Sequence, residues 1–415
     1  MIKENWCLGD IMDICLIGNG FDLHHNFPTS YYDFLQTVDF LINNYDSSFN
    51  TIEKVFGDVR LQENDKNISK AFEKHNGIYG LVALEESVIK TFINKAKNNL
   101  WFKYLNNCVN RDIGWIDFEK EIITVINAFA AFFKDEDDKI NLSDDVIYFN
   151  IDYFPEEPTD NFIVRQFDFF YENFNELSTS GAFIKIKHQY ITQNLKNSGI
   201  YWLNEEKIIG DLYASLRELA DILREYLYLF IDLPVCKMKE MNINAQCTSY
   251  PREPYVFTFN YTNTFEVFYS ENSVLHIHGN NKTNIVLGIN PDENDEIYNI
   301  DTTFLQFKKY YQRIFYRTDY EYIKKVKALR RTRKYDNGFT LYVIGHSLDT
   351  TDEDIIKELF DVASRIIILY HSEERVGSFI KNLVNIYGKN EFDDIRAEKN
   401  LQFLPQAEVE WIYPK

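Results

Sequence analysis

The chain is poor in the features that mark several whole classes of protein. No stretch approaches the roughly 20 consecutive apolar residues that a bilayer-spanning helix needs. The N-terminus lacks the apolar core of a secretory signal, so a cytoplasmic location without a membrane partner is expected. Five cysteines occur (Cys7, Cys15, Cys108, Cys236 and Cys247). They are odd in number, scattered and without a C-x-x-C pair, which indicates neither a disulfide framework nor a zinc ribbon, and no metal is expected. Positive charge is also short. The 44 Lys and Arg against 64 Asp and Glu leave a formal net charge of -20, which repels nucleic-acid backbones unless basic residues cluster locally. One cluster exists, KKVKALRRTRK at Lys324 to Lys334. A solvated face in an acidic protein accounts for it better than nucleic-acid contact does. No internal repeat or low-complexity tract is present.

What is there suffices for a large folded protein: 415 residues, 45% of them hydrophobic, enough for two or three domains at about 150 residues each. Residues Met12 to Ile17 form a short apolar run, as expected of a strand buried on both faces of a parallel sheet. It enters the turn Gly18-Asn19-Gly20-Phe21-Asp22, where two glycines let the backbone turn tightly and bring N–H groups close to a phosphate or ribose. The third glycine of the dinucleotide fingerprint is missing, because position 23 is Leu23.

The next two hundred or so residues read as helical. Thr29 or Ser30 can cap a helix over YYDFLQTVDFLINNY. Phe118, Ile122, Val125, Ile126, Phe129 and Phe133 form one apolar stripe, and Leu212, Leu216, Leu219, Leu223, Tyr226 and Phe230 another. The polar segments Lys134 to Lys139 and Phe154 to Asn161 read as surface loops. From Tyr255 the pattern returns to short apolar and β-branched runs: YVFTF, SVLHIHG, NIVLGIN, FTLYVIGHSL and SRIIILYHS. Strands alternating with helices imply parallel βα units. The expected architecture is therefore an α/β domain from residues 1–30 and 250–415, a Rossmann-like parallel sheet interrupted by an all-helical insertion over residues 31–249.

In such a sheet ligands bind beyond the carboxyl ends of the strands, and four segments end there with polar or glycine residues. Gly18 to Asp22 is the first. Asn260, after YVFTF, carries an amide that can both donate to and accept from ribose hydroxyls or water, although an Asn in this place also serves as an ordinary turn or cap residue. His276 and His278 alternate on one strand and so point the same way; His278, beside Gly279, is the better placed for ribose contact or general-base work. Gly345 and Ser347 end the fourth run, followed by Thr350, Thr351, Asp352, Glu353 and Asp354 as an acidic helix start. In the insertion, Asp117 of WIDFE reads as a helix cap, and Glu119 either occupies the first helical turn or reaches the pocket.

Taken in order, GNGFD, PTSYYDFL, WIDFE, FTFNYTNTFE, HIHG and IGHSLDTTDEDI resemble the AbiH family of phage abortive-infection proteins. The same segments look like a divergent sirtuin-type NAD-binding fold. GNGFD sits where such proteins carry G-A-G-x-S, FNYT where they carry T-x-N-x-D, HIHG at their catalytic histidine, and GHSL at a turn that contacts the cofactor. Asp22 and Thr262 depart from that pattern, and the four-cysteine zinc module is missing, which argues against a protein deacylase. The resemblance implies an antiphage effector that binds NAD and cleaves it to nicotinamide and ADP-ribose. Asn260 would position ribose and water, His278 would accept a proton, and Asp22 would stabilise the oxocarbenium-like state, with Gly18, Asn19, Gly20, Phe21, Gly279, Gly345 and Ser347 around the dinucleotide. It also implies a trigger, either a phage component or homo-oligomerisation. A sensor that binds NAD or ADP-ribose without turnover is the alternative, and a nucleic-acid-binding or nuclease effector the lesser one.

Overall fold

The computed structural model describes residues 13–62, 65–109, 116–134, 139–142, 146–151, 160–169, 177–178, 181–193, 201–269, 274–290, 302–332 and 338–414. Six strands lie in one sheet: β1 (Asp13–Ile17), β2 (Tyr255–Thr258), β3 (Val274–His276), β4 (Thr340–Ile344), β5 (Arg365–Tyr370) and β6 (Gln402–Pro405). Their spatial order is β3-β2-β1-β4-β5-β6, and every pairing is parallel. This is a doubly wound order whose direction reverses between β1 and β4. The α/β expectation holds, and β6, which the apolar runs after Tyr255 do not announce, forms the edge beside β5.

Both faces of the sheet are covered, which is why its strands are apolar runs without alternation. On one face Ile14, Leu16, Leu341, Val343, Ile366 and Ile368 pack with residues of the helices Tyr320–Thr332 and Glu353–Val362. On the other, Cys15, Ile17, Val256, Ile344, Ile367 and Leu369 pack with Phe21, Tyr250 and Phe265. The basic run is part of this covering layer. Tyr322, Val326 and Leu329 of helix Tyr320–Thr332 are buried against the sheet, Lys325 lies over the Tyr255 ring, and Arg330 faces Glu358 and Asp361. Arg333 and Lys334 lie outside the described residues.

The long connection from β1 to β2 is mainly helical. Ser30, rather than Thr29, caps helix Tyr31–Asn44 in a reciprocal capping box with Asp33. Helices Phe118–Lys134 and Glu205–Leu227 follow the two apolar stripes. The connection is not all-helical, however. It holds a four-stranded antiparallel sheet built from Lys139–Leu142, Val146–Ile151, Leu177–Ser178 and Gly181–Lys185, and a ribbon of Ile191–Gln193 with Tyr201–Leu203. Short β-branched and aromatic runs such as VIYFNI satisfy their backbone by pairing with one another, a long-range choice that helical periodicity does not reveal. Conversely, NIVLGIN is no sheet strand. The amide of Leu287 donates to the Gln312 side chain, whose own amide donates back to the Leu287 carbonyl, and Ile289 pairs with Phe307. One glutamine thus does what a neighbouring strand would.

The core of the insertion is continuous with the rest of the molecule. Residues from Phe27 to Ala245 pack in one cluster with Ile285, Leu287, Ile289, Phe304, Phe307 and Trp411. Trp411 arrives on the strand Glu410–Ile412, which pairs antiparallel with Asn244–Gln246. Each such side chain contributes about 1.5–3 kcal/mol when buried. Residues 31–249 produced alone are therefore expected to melt without a sharp transition and to bind a hydrophobic dye; a cooperative melt of that fragment in a denaturation scan would show an autonomous domain.

Candidate functional site at the carboxyl edge of the sheet

The turns after β1 and β4 interlock through backbone. Gly18 N–H donates to the Ile344 carbonyl (3.1 Å) and Gly20 N–H to that of Gly345 (2.8 Å). A Cβ on Gly18 would lie 2.7 Å from the His346 Cα, and one on Gly345, whose φ is +65°, would lie 2.1 Å from the Phe21 nitrogen. The glycines are thus required by this close approach, and two of their amides serve the neighbouring turn. Asn19 is exposed, whereas the Phe21 ring is buried among His25, Tyr250, Phe265 and Tyr269. Ser347 is exposed, with its carbonyl accepting from Asn382.

Asp22 follows this turn and is 1% exposed. Its Oδ2 accepts from Thr262 Oγ1 (2.6 Å) and from Asn260 Nδ2 (3.1 Å). Thr262, a departure from the sirtuin pattern at sequence level, is thus the residue that anchors the other departure, Asp22. Burial pushes the Asp22 carboxyl up to about 6, with the Thr262 hydrogen bond opposing it. The second carboxylate oxygen, Oδ1, and Asn260 Oδ1 are buried without a protein partner.

His276 and His278 do not share an environment. The strand ends at His276, so alternation does not carry on to His278, which lies in the following turn. His276 is tied down: Nδ1 meets the Asn260 carbonyl at 2.7 Å and Nε2 meets Glu266 Oε1 at 2.5 Å. Burial alone would lower its pKa, but Glu266 and the Asn260 carbonyl raise it above the usual histidine value. His278 faces a different group. Its Nε2 is 3.7 Å from Asp352 Oδ1, its ring packs edge-on against Phe259, and Nε2 has no partner at hydrogen-bonding distance. Burial and then the Lys309 charge hold it well below the usual range, so its neutral form prevails. Gly279, with φ +80°, allows the tight return: a Cβ there would meet the Asn284 carbonyl at 2.2 Å.

Beyond His278 lies a buried charged cluster. Lys309 Nζ sits 2.7 Å from Glu119 Oε1 and 2.9 Å from Asp352 Oδ1, while His346 Nε2 is 3.5 Å from Asp352 Oδ2. Glu119 is brought here by helix Phe118–Lys134, whose start Asp117 caps by accepting from the Glu119 and Lys120 amides. Burial raises the Glu119 carboxyl to about 7 despite Lys309 beside it. Burial acts in the same sense on Asp352, yet Lys309 and the two histidines overcome it and hold Asp352 well below the carboxylate range. Two neighbouring carboxyl groups driven in opposite directions are a recurrent feature of acid–base sites. Lys309 and His346 had no signal in the sequence, because neither belongs to a motif that marks a site and only their packing brings them to Asp352. Asp352 was legible only as a first-turn acidic residue. The groove of about 420 Å3 lined by Asn98, Leu100, Asp211, Ala214, Ser215 and Glu218 contains none of these residues.

These features define an α/β protein with a doubly wound parallel sheet and a buried polar site at its carboxyl edge. A family model described as Bacteriophage abortive infection AbiH matches residues 14–370, and the chain belongs to that family, whose role is in phage abortive infection. Neither a curated protein nor a solved structure matches the chain. Among the described residues, no helix is long and apolar enough to cross a membrane.

The Asp22 environment makes a sign-specific prediction. Its folded-state pKa, about 6, is above the ordinary 3.8, so the protonated form stabilises the fold fully below pH 3.8, and that contribution is lost as pH rises through 6. In D22N the amide oxygen can accept both hydrogen bonds, and its nitrogen takes the place of the unpartnered Oδ1. D22N is therefore expected to unfold at higher denaturant than wild type at pH 8, by on the order of 3 kcal/mol at most for a rise from 3.8 to about 6, and to match it at pH 4. Equal stability at both pH values would show that Asp22 carries no such penalty.

Proposed function

We propose that this AbiH protein binds NAD at the carboxyl edge of its sheet and hydrolyses it to nicotinamide and ADP-ribose. The supporting observation is that Asp22, Asn260 and His278 follow three adjacent strands, are each no more than 8% exposed, and each present a buried polar atom without a protein partner. Such atoms are costly unless a ligand or water meets them. The residues fit the reacting end of the dinucleotide: an amide oxygen for a ribose hydroxyl, a neutral imidazole to take a proton from water, and a carboxylate to stabilise a cationic ribose. As water adds to the ribose carbon, the electron pair of the breaking C–N bond goes to nicotinamide, and the proton lost by water passes through His278 to solvent. The amides of Gly18 and Gly20 are not assigned to the phosphates, because both already bond the β4 turn.

His278→Ala is expected to reduce nicotinamide release by about 10²–10⁴-fold with little change in melting, and Asn260→Ala to abolish release while lowering the melting temperature somewhat, since it takes a hydrogen bond from the buried Asp22 carboxylate. His276→Ala should destabilise instead, since it releases Glu266 and the Asn260 carbonyl. Activity should fall as pH drops through 6, where Asp22 loses the anionic form. The check is chromatographic assay of nicotinamide beside thermal melts for each variant, with and without phage extract to supply a trigger. A His278→Ala protein as active as wild type would remove the base. The Asn260 amide that already donates to Asp22 favours a second reading, a nucleotide sensor, and NAD binding without nicotinamide release would establish it.

A further inference from the structure

Lys309 is 1% exposed, and its ammonium joins two distant parts of the chain: Glu119 on the insertion helix Phe118–Lys134 and Asp352 beyond β4. Asp352 Oδ1, which receives Lys309 at 2.9 Å, is also the oxygen that stands 3.7 Å from His278 Nε2. Asp352 Oδ2 faces His346. His346 is itself fixed, because its Nδ1 accepts from the Leu348 amide at 2.9 Å, which places its proton on Nε2, toward Asp352. Among the described residues, the charged and aromatic groups facing His278 include Lys309 and Arg313 from helix Lys309–Tyr316, Asp352 and His346 from the segment after β4, and Phe259 just beyond β2. Arg313 is paired with Asp354, which leaves Lys309 as the cation that directly holds Asp352.

We propose that Lys309 is a positioning residue: bound to Asp352, it keeps that carboxylate from pairing with His278 and leaves His278 Nε2 able to take a proton, while Glu119 holds Lys309 in place from the insertion. The inference rests on the reading of His278 as the base. When water gives up its proton, an O–H bond breaks, an N–H bond forms at Nε2, and the imidazolium then lies beside ionised Asp352. Through Glu119 the insertion thus touches the lysine that holds Asp352 off His278.

The test is the titration of His278 by NMR in the full chain labelled with 13C-histidine, the resonance being assigned by its loss in H278Q. In K309M the His278 midpoint is expected to rise by at least one pH unit; in K309R, which keeps the charge, it should stay with wild type. An unchanged midpoint in K309M would overturn the proposal and leave Lys309 as a structural ion bridge. Should K309M fail to fold with two unpaired carboxylates, K309M/E119Q removes one of them and is read in the same way, a raised midpoint supporting the proposal and an unchanged one refuting it. Nicotinamide release is measured on the same wild-type protein with phage extract added to supply a trigger. Its absence would count against NAD hydrolysis, whereas the His278 titration decides the role of Lys309 regardless of turnover.

Discussion

The backbone contact between the turn after β1 and the turn after β4 governs the rest of the site. With Gly18 and Gly20 bonded to Ile344 and Gly345, the two strands on either side of the topological reversal end in one rigid unit. Asp22 must then face β2, where Asn260 and Thr262 meet it, and His346 must turn toward Asp352. A side chain on Gly345 cannot be fitted without parting the turns, so the geometry of both polar groups depends on the absence of a methyl group.

The edge of the sheet gathers buried polar and charged groups. Asp22, Asn260, His278, Lys309, Arg313, His346 and Asp352 are all buried. Taking charged groups out of water is unfavourable by several kcal/mol each unless pairing is good, and here the pairing is incomplete by design of the positions: Asp22, Asn260, His278, Glu119 and Arg313 each keep an atom without a protein partner. Apolar substitutes would hold the sheet together at least as well. The apolar layers on both faces therefore supply the stability that lets the edge remain polar, the usual division between scaffold and site.

The insertion is more than a decoration on this scaffold. Its core is continuous with the loop after β3 and with the C-terminal strand, and through Glu119 it contributes charge to the centre of the polar cluster. A helix whose first turn ends on a buried lysine beside a histidine links the packing of the helical region to the protonation of the edge, and electrostatics over 3 to 4 Å in a desolvated setting is strong enough to carry that link.

The α/β class, the alternation of strands and helices after Tyr255, the apolar stripes of Phe118–Lys134 and Glu205–Leu227, and the turns bearing Asp22, Asn260 and His278 were legible in the sequence, because each depends on residues within a few positions of one another. Local pattern also supported Asp117 as a cap and Ser30 as one of two candidates. Pairing across long separations was not legible. The antiparallel strands inside the insertion, the role of Gln312 in place of a strand, the strand Gln402–Pro405 and the divergence of His276 from His278 all depend on which distant backbone groups are available. The same holds for Lys309 and Asp352, which are ordinary helix-surface residues by sequence and become the buried centre of the site only once the insertion and the sheet close around them, because burial is a property of the packed whole and not of any segment.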